Sequence, residues 1–128
     1  PPTLERLTSE VRAAFKRPSD ITFQAVAALP YLQACIRETM RLYPPVATGV
    51  PRIIPAGGRE IMGRWLPSAT RASVHHYSAS HSAANFRNPD SFIPERWMPE
   101  STAGEYADDA REASAPFSVG PRNCIGQK

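Results

Sequence analysis

Phe117-Ser118-Val119-Gly120-Pro121-Arg122-Asn123-Cys124-Ile125-Gly126 says more about this chain than any other stretch of it. It sets Cys124 between two glycines and two residues after an arginine, on a segment without a regular hydrophobic period. A cysteine so placed presents its sulfur to whatever packs against the loop. Gly120 can take positive φ at a tight turn, and Gly126 lets the backbone approach a flat surface closely because no Cβ stands in the way. A helix beginning just after Cys124 would turn unpaired N–H groups and its positive dipole end toward the sulfur, favouring the thiolate. Arg122 supplies a planar, permanently charged fork that matches a carboxylate. Phe117 offers the sulfur a dry wall.

A thiolate is one of the few protein groups able to hold haem iron as a strong electron donor, and such donation favours O–O bond cleavage. In that setting the carboxylate facing Arg122 is a haem propionate. Taken alone, the same residues also fit a glycine-rich surface turn with an inert cysteine.

The loop resembles that of the cytochrome P-450 haem-thiolate monooxygenases. The family's pattern is Phe-x-x-Gly-x-Arg-x-Cys-x-Gly, and Phe117, Gly120, Arg122, Cys124 and Gly126 meet all five fixed positions. Residues 118–126 look most like the fungal members of the eukaryotic microsomal branch. Two further motifs follow in the family's order. Glu38-Thr39-Met40-Arg41 fits Glu-x-x-Arg, a pair that eight Glu and thirteen Arg in 128 residues can supply by chance. Its context is more specific. Leu32, Cys35, Ile36, Thr39, Met40 and Tyr43 recur at helical spacing, Pro30 suits a first turn and Pro44-Pro45 an end. Glu38 and Arg41 are then i, i+3 neighbours lying off that apolar stripe, where by themselves they make a solvated ion pair.

Pro94-Glu95-Arg96-Trp97 is similar to the family's meander signature. The resemblance implies that Glu38, Arg41 and Arg96 form a buried structural triad that fixes the cysteine loop and takes no catalytic part. The runner-up is that Arg96 merely sits on a surface turn. The resemblance also implies that Cys124 is the axial ligand of a haem (iron protoporphyrin IX) and that Arg122 and Arg52 hold its propionates. Phe117, Gly120 and Gly126 then shape the loop against it. His81 matches a commonly occupied family position, and no chemistry is assigned to it.

Thirteen Arg and two Lys give a net charge of +3 and a pI near 9.2. These cations are scattered among acids rather than clustered with aromatics, which argues against a nucleic-acid partner. Cys35 falls on the apolar face of the expected helix and Cys124 on the loop, so neither is expected to have a disulfide partner, and such sparse usage fits a reducing compartment. No apolar run approaches the roughly 20 residues needed to span a bilayer. An alternative is a small zinc or redox module built from Cys124 with His75, His76 or His81, although only the histidines are closely spaced.

The coarse pattern is mainly α with a small β-sheet, an α+β class. The resemblance makes it a partial P-450 fold, running from the helices before Glu-x-x-Arg to the cysteine loop. Leu4, Leu7, Val11 and Phe15 mark an amphipathic helix that ends near Arg17-Pro18-Ser19-Asp20, and residues 22–29 add a helical turn or two. Arg52-Ile53-Ile54, Arg59-Glu60-Ile61-Met62 and residues 72–77 read as strands, with Ala56-Gly57-Gly58 as a hairpin turn. Residues 86–97 are irregular and Pro-rich. Residues 100–113 are acidic and unperiodic, and read as a mobile loop.

Departures from the family pattern are informative too. No Ala/Gly-Gly-x-Asp/Glu-Thr stretch, the family's oxygen-activating segment, is present, and Ala69-Thr70 stands where Gly-Thr is common, a change read as minor. The resemblance therefore implies that residues 1–128 are a C-terminal segment of one P-450 domain, truncated at both ends. Its parent would insert one oxygen atom of O2 into a small organic substrate with electrons from an NADPH-dependent reductase. The parent's expected place is the cytoplasmic face of the endoplasmic reticulum membrane. The segment alone is expected to be inactive, and a non-catalytic or vestigial haem-binding fragment is the alternative.

Overall fold

The structure, a computed structural model, describes residues 2–100 and 104–127. Among these, the helices α1 (Pro2–Ala14), α2 (Phe23–Ala27) and α3 (Pro30–Leu42) come first. Four short strands follow, β1 (Arg52–Ile53), β2 (Arg59–Ile61), β3 (Arg64–Leu66) and β4 (Arg71–Ala72), and then α4 (His76–Ser80). The remainder runs through single 3-10 turns, which include Pro94–Trp97, Arg111–Ala113, Gly120–Arg122 and Ile125–Gln127. The α+β class expected from the sequence is the one observed.

Local chemistry sets the helix starts. The Thr22 hydroxyl accepts the N–H of Ala25 and caps α2. Pro30 opens α3, where its missing N–H costs nothing, but the residue before it, Leu29, has no polar side chain with which to cap. Glu10 of α1 does this work from a distance. Its carboxylate accepts the N–H groups of Tyr31 at 2.8 Å and Leu32 at 2.9 Å, so the free donors at the start of α3 are met by a neighbouring helix. Tyr31 extends the same junction, its hydroxyl donating to Glu95 at 2.9 Å while Arg6 lies over its ring. Leu4, expected on the buried side of α1, is exposed.

The buried face of α3 is not the apolar stripe read from the sequence. Tyr31, Ala34, Cys35, Glu38, Arg41 and Leu42 are buried, whereas Ile36, Thr39 and Tyr43 are exposed. Glu38 and Arg41 thus lie on the inward face, buried rather than in the solvated position that the helical pattern by itself would give them. The helix turns its charges inward because donors and acceptors await them there. The small apolar core gathers beside them from Leu29, Tyr31, Leu42, Ile54 and Phe86.

The strands form two antiparallel pairs, β1 with β4 and β2 with β3. Ala56-Gly57-Gly58 is a turn, closed by the Gly58 N–H on the Pro55 carbonyl, but it is not the hairpin. The hairpin turn is Met62-Gly63, both residues at positive φ, +50° and +74°, as a two-residue turn between twisted strands requires. Arg64–Leu66 is a strand that the sequence reading left out. Residues 72–77 do not continue as a strand, because the chain leaves β4 at Ala72 and enters α4 at His76.

Ala69 is the residue where a glycine was expected, and it lies in the left-handed region at φ +64°. Its N–H bonds the Ile54 carbonyl at 3.0 Å beside the β1–β4 pair, so the conformation is held by the sheet. The change from glycine is therefore not minor. An L-residue is strained there, and Ala69→Gly is expected to stabilise the protein by about 1 kcal/mol. The check is a rise in the urea midpoint at unchanged slope; an unchanged or lower midpoint would contradict it.

Candidate functional site

Two residue groups carry the chemistry, a buried charge network and an exposed cysteine loop. The network is centred on the Glu38 carboxylate. One of its oxygens accepts from Arg41 Nη2 at 2.9 Å, the Ile93 N–H at 2.9 Å and Arg96 Nε at 3.1 Å, and the other from Arg41 Nε at 2.9 Å and the Trp97 indole at 2.8 Å. Arg41 uses its remaining N–H groups on the carbonyls of Ser80, Pro89 and Ser91, at 2.7, 2.6 and 3.1 Å. All five guanidinium donors of Arg41 are satisfied. Phe86 lies beneath both guanidiniums, with their centres 5.1 and 5.7 Å from its ring. Glu38, Arg41 and Arg96 are fully buried.

Burial by itself pushes the Glu38 carboxyl up. The Arg41 hydrogen bonds, the Ile93 N–H, the Trp97 indole and the Arg41 charge outweigh that effect and hold it below its ordinary value of 4.5. The carboxylate is stable in the interior only because each of its oxygens is saturated with donors.

A fourth charge belongs to the network. Asp109 is buried; one of its oxygens accepts from Arg96 Nη1 and the other from the Arg87 N–H at 2.7 Å. Arg111 donates Nε to the Arg96 carbonyl at 2.6 Å and Nη2 to the Tyr106 carbonyl at 2.9 Å. The expected mobile loop over residues 100–113 is thus corrected at its C-terminal end, which is tied to the network. Ser101, Thr102 and Ala103 of that stretch lie outside the described residues.

The cysteine loop follows. The Cys124 N–H donates to the Phe117 carbonyl at 2.8 Å and closes the loop across Gly120, whose φ of +77° is one that only glycine takes freely. Arg122, Cys124 and Gly126 are exposed and Phe117 is half-buried. A single 3-10 turn, Ile125–Gln127, stands where a helix start was expected. Both cysteines are free, Cys35 buried and Cys124 exposed. Burial, then the nearby Glu95 and Glu10 charges, raise the Cys35 thiol and make it the inert one of the pair.

A cleft of about 540 Å³ separates the loop from α3, with Ile36, Met40, Trp97, Pro116 and Phe117 among its walls. Trp97 therefore serves both groups, its N–H held by Glu38 and its ring lining the cleft toward Phe117. Arg52 lies on β1 opposite Ala72 with its side chain exposed, and among the described residues no side-chain hydrogen bond or ion pair joins it to the loop. His81 is engaged by Asp90 at 2.6 Å and the Leu42 carbonyl at 3.1 Å, and it stacks on Tyr77. Among the described residues no group of three or more His, Cys, Asp or Glu is placed to hold a metal ion, so the zinc module of Cys124 with His75, His76 or His81 has no ligand set.

The loop residues fit a flat, largely apolar cofactor with a metal at its centre. The exposed Cys124 shares its loop with the apolar Val119 and Ile125, which are 75% and 98% exposed, and follows Arg122 by two residues. Sequence reasoning missed Asp109 and Glu10, and it quoted Trp97 within a motif without its bond to Glu38. Each lies well along the chain from its partner, and no local pattern points to the pairing.

A family model described as cytochrome P450 matches residues 1–128, and the chain belongs to the cytochrome P-450 family. It is similar to cytochrome P-450 monooxygenase lnbC of Aspergillus flavus, at 51% identity over 98% of this chain and 24% of that protein. The corresponding figures for cytochrome P-450 monooxygenase efuB of Hormonema carpetanum are 47%, 99% and 25%. Averantin hydroxylase of Aspergillus parasiticus is 45% identical over 100% of this chain and 25% of its own length. The chain thus spans about a quarter of the length of the curated relatives it matches.

Removing Glu38 leaves two buried guanidiniums facing each other, and Glu38→Ala is expected to cost about 3–5 kcal/mol. Its effect and that of Arg41→Ala should be clearly less than additive in a double-mutant cycle. The pH dependence has a definite sign. The folded value lies below 4.5, so the stability from this group is complete above pH 4.5 and is lost as pH falls through the lower folded value. Denaturation followed from pH 7 downward should show this acid limb in the wild type and a flatter one in Glu38→Gln.

Proposed function

We propose that residues 1–128 form the haem-thiolate segment of a longer monooxygenase, with Cys124 as the axial ligand. The observation that carries this reading is the exposed thiol of Cys124 on a short loop whose approach is fastened to a buried charge network. Haem bound there supplies the activation of O2 that inserts one oxygen atom into an organic substrate, with electrons passed from NADPH by a reductase. The chain's own residues prepare the site. Cys124 provides the electron-rich sulfur, and the turn at Gly120 keeps it at the surface of the loop. Arg122 faces one propionate carboxylate with a planar fork, and Arg52 is assigned the second. Phe117 shields one side of the sulfur from water, and Gly126 leaves room for the macrocycle. Glu38, Arg41 and Arg96 touch neither iron nor substrate; they hold the scaffold beneath the loop.

The hydroxylase and monooxygenase names of the fungal relatives support this chemistry. The parent's place at the cytoplasmic face of the endoplasmic reticulum membrane is assigned from membership of the family alone; no helix among the described residues is long and apolar enough to cross a membrane. The substrate is read only as a small organic molecule.

Two measurements test the proposal. In the full-length protein the ferrous carbon monoxide complex is expected at the long-wavelength position given by thiolate donation, and Cys124→Ser should abolish it. A wild-type spectrum typical of histidine ligation would overturn the assignment. Residues 1–128 alone, supplied with haem, reductase and NADPH, are expected to form no product; NADPH-dependent turnover by this segment would show that it carries the whole oxygen-activating apparatus.

A further inference from the structure

One carboxylate between two guanidiniums leaves a net positive charge where water is excluded, and an uncompensated buried charge is costly. The buried charged side chains among the described residues are Glu38, Arg41, Arg96 and Asp109, two of each sign. Asp109 meets Arg96 through a different nitrogen from the one that serves Glu38. Arg96 is therefore held twice by one short segment. Its side chain is gripped by Asp109, and its carbonyl accepts Arg111 Nε at 2.6 Å. From Arg111 the chain reaches the cysteine through hydrogen-bonded turns, Ser114 N–H to the Arg111 carbonyl at 3.1 Å, Ser118 to Ala115 at 2.9 Å and Cys124 to Phe117 at 2.8 Å.

We infer that Asp109 is a positioning residue: the charge that neutralises the buried network and, with Arg111, clips it to the segment leading into the cysteine loop, fixing where the Cys124 sulfur stands. The inference rests on the reading that Cys124 ligates haem iron, and it adds the connection between lock and ligand. Without the Asp109 charge, Glu38 keeps its five donors and the fold survives. The segment before the loop is then held to Arg96 without the charged grip of Asp109, the Arg111 bond to the Arg96 carbonyl remaining, and the sulfur's position spreads. The iron–sulfur bond is then the weak point of an otherwise folded protein.

The test uses the full-length, haem-loaded protein and the variants Asp109→Asn, Asp109→Glu and Arg111→Gln. The Asn variant is expected to keep native far-ultraviolet circular dichroism and to bind haem. Its ferrous carbon monoxide complex should nevertheless lose the thiolate absorption about tenfold faster or more, well below the unfolding midpoint. Amide hydrogen exchange at the Cys124 N–H should accelerate by a similar factor, and Asp109→Glu, which keeps the charge, should recover part of both losses. Wild-type decay and wild-type exchange in a folded Asp109→Asn protein would overturn the inference. If that variant does not fold, Arg111→Gln, which leaves the four buried charges in place, decides on the same two readouts. A failure of the ligation reading is visible separately, since the wild type would then lack the thiolate absorption. Exchange at Cys124 still judges the clip in that case, and an unchanged rate in the variant rejects it.

Discussion

The Glu38 carboxylate organises this molecule. It joins α3 to the Pro94–Trp97 turn through two arginines, an indole and a main-chain N–H, so that elements more than fifty residues apart in sequence share one acceptor. A charge in the interior is tolerated only when its hydrogen-bonding capacity is filled, and here it is filled by groups from several parts of the chain. That requirement gives the network its rigidity. Any displacement of the turn or the helix leaves an ion without partners, so the arrangement is either complete or broken.

The same requirement decides which way α3 faces. Apolar area alone would favour burying Ile36, Met40 and Tyr43. Glu38 and Arg41 go inward instead, because the carbonyls of Ser80, Pro89 and Ser91 and the Ile93 N–H are arrayed to receive them. Ile36 and Met40 are left to line the cleft against Pro116 and Phe117. The apolar side of the helix thus looks toward the cysteine loop, while its charged side fixes the scaffold. Trp97 stands between the two, bonded to Glu38 and facing the cleft.

The β-strand region contributes little burial of its own. Its two antiparallel pairs are short, and their geometry depends on single residues at positive φ, Met62 and Gly63 at the hairpin and Ala69 before β4. Where the chain places an alanine in a left-handed conformation, the hydrogen bond of Ala69 to Ile54 holds it against its own preference.

The sequence by itself determined what depends on residues close together in the chain. The Phe117-to-Gly126 spacing, the Pro30 start of α3 and the i, i+3 placement of Glu38 and Arg41 were all readable, because helix geometry and turn chemistry act over a few residues. The α+β class followed from the same signals. Tertiary structure decided the rest. It turned Glu38 and Arg41 inward, brought Asp109 to Arg96 across an acidic stretch that reads as loop, used Glu10 to cap a helix twenty residues away, and closed the hairpin at Met62-Gly63 rather than at the glycine pair. These are matters of which distant donor meets which buried acceptor. No local pattern encodes that pairing, because the cost of an unpaired buried charge is felt only once the chain has come together.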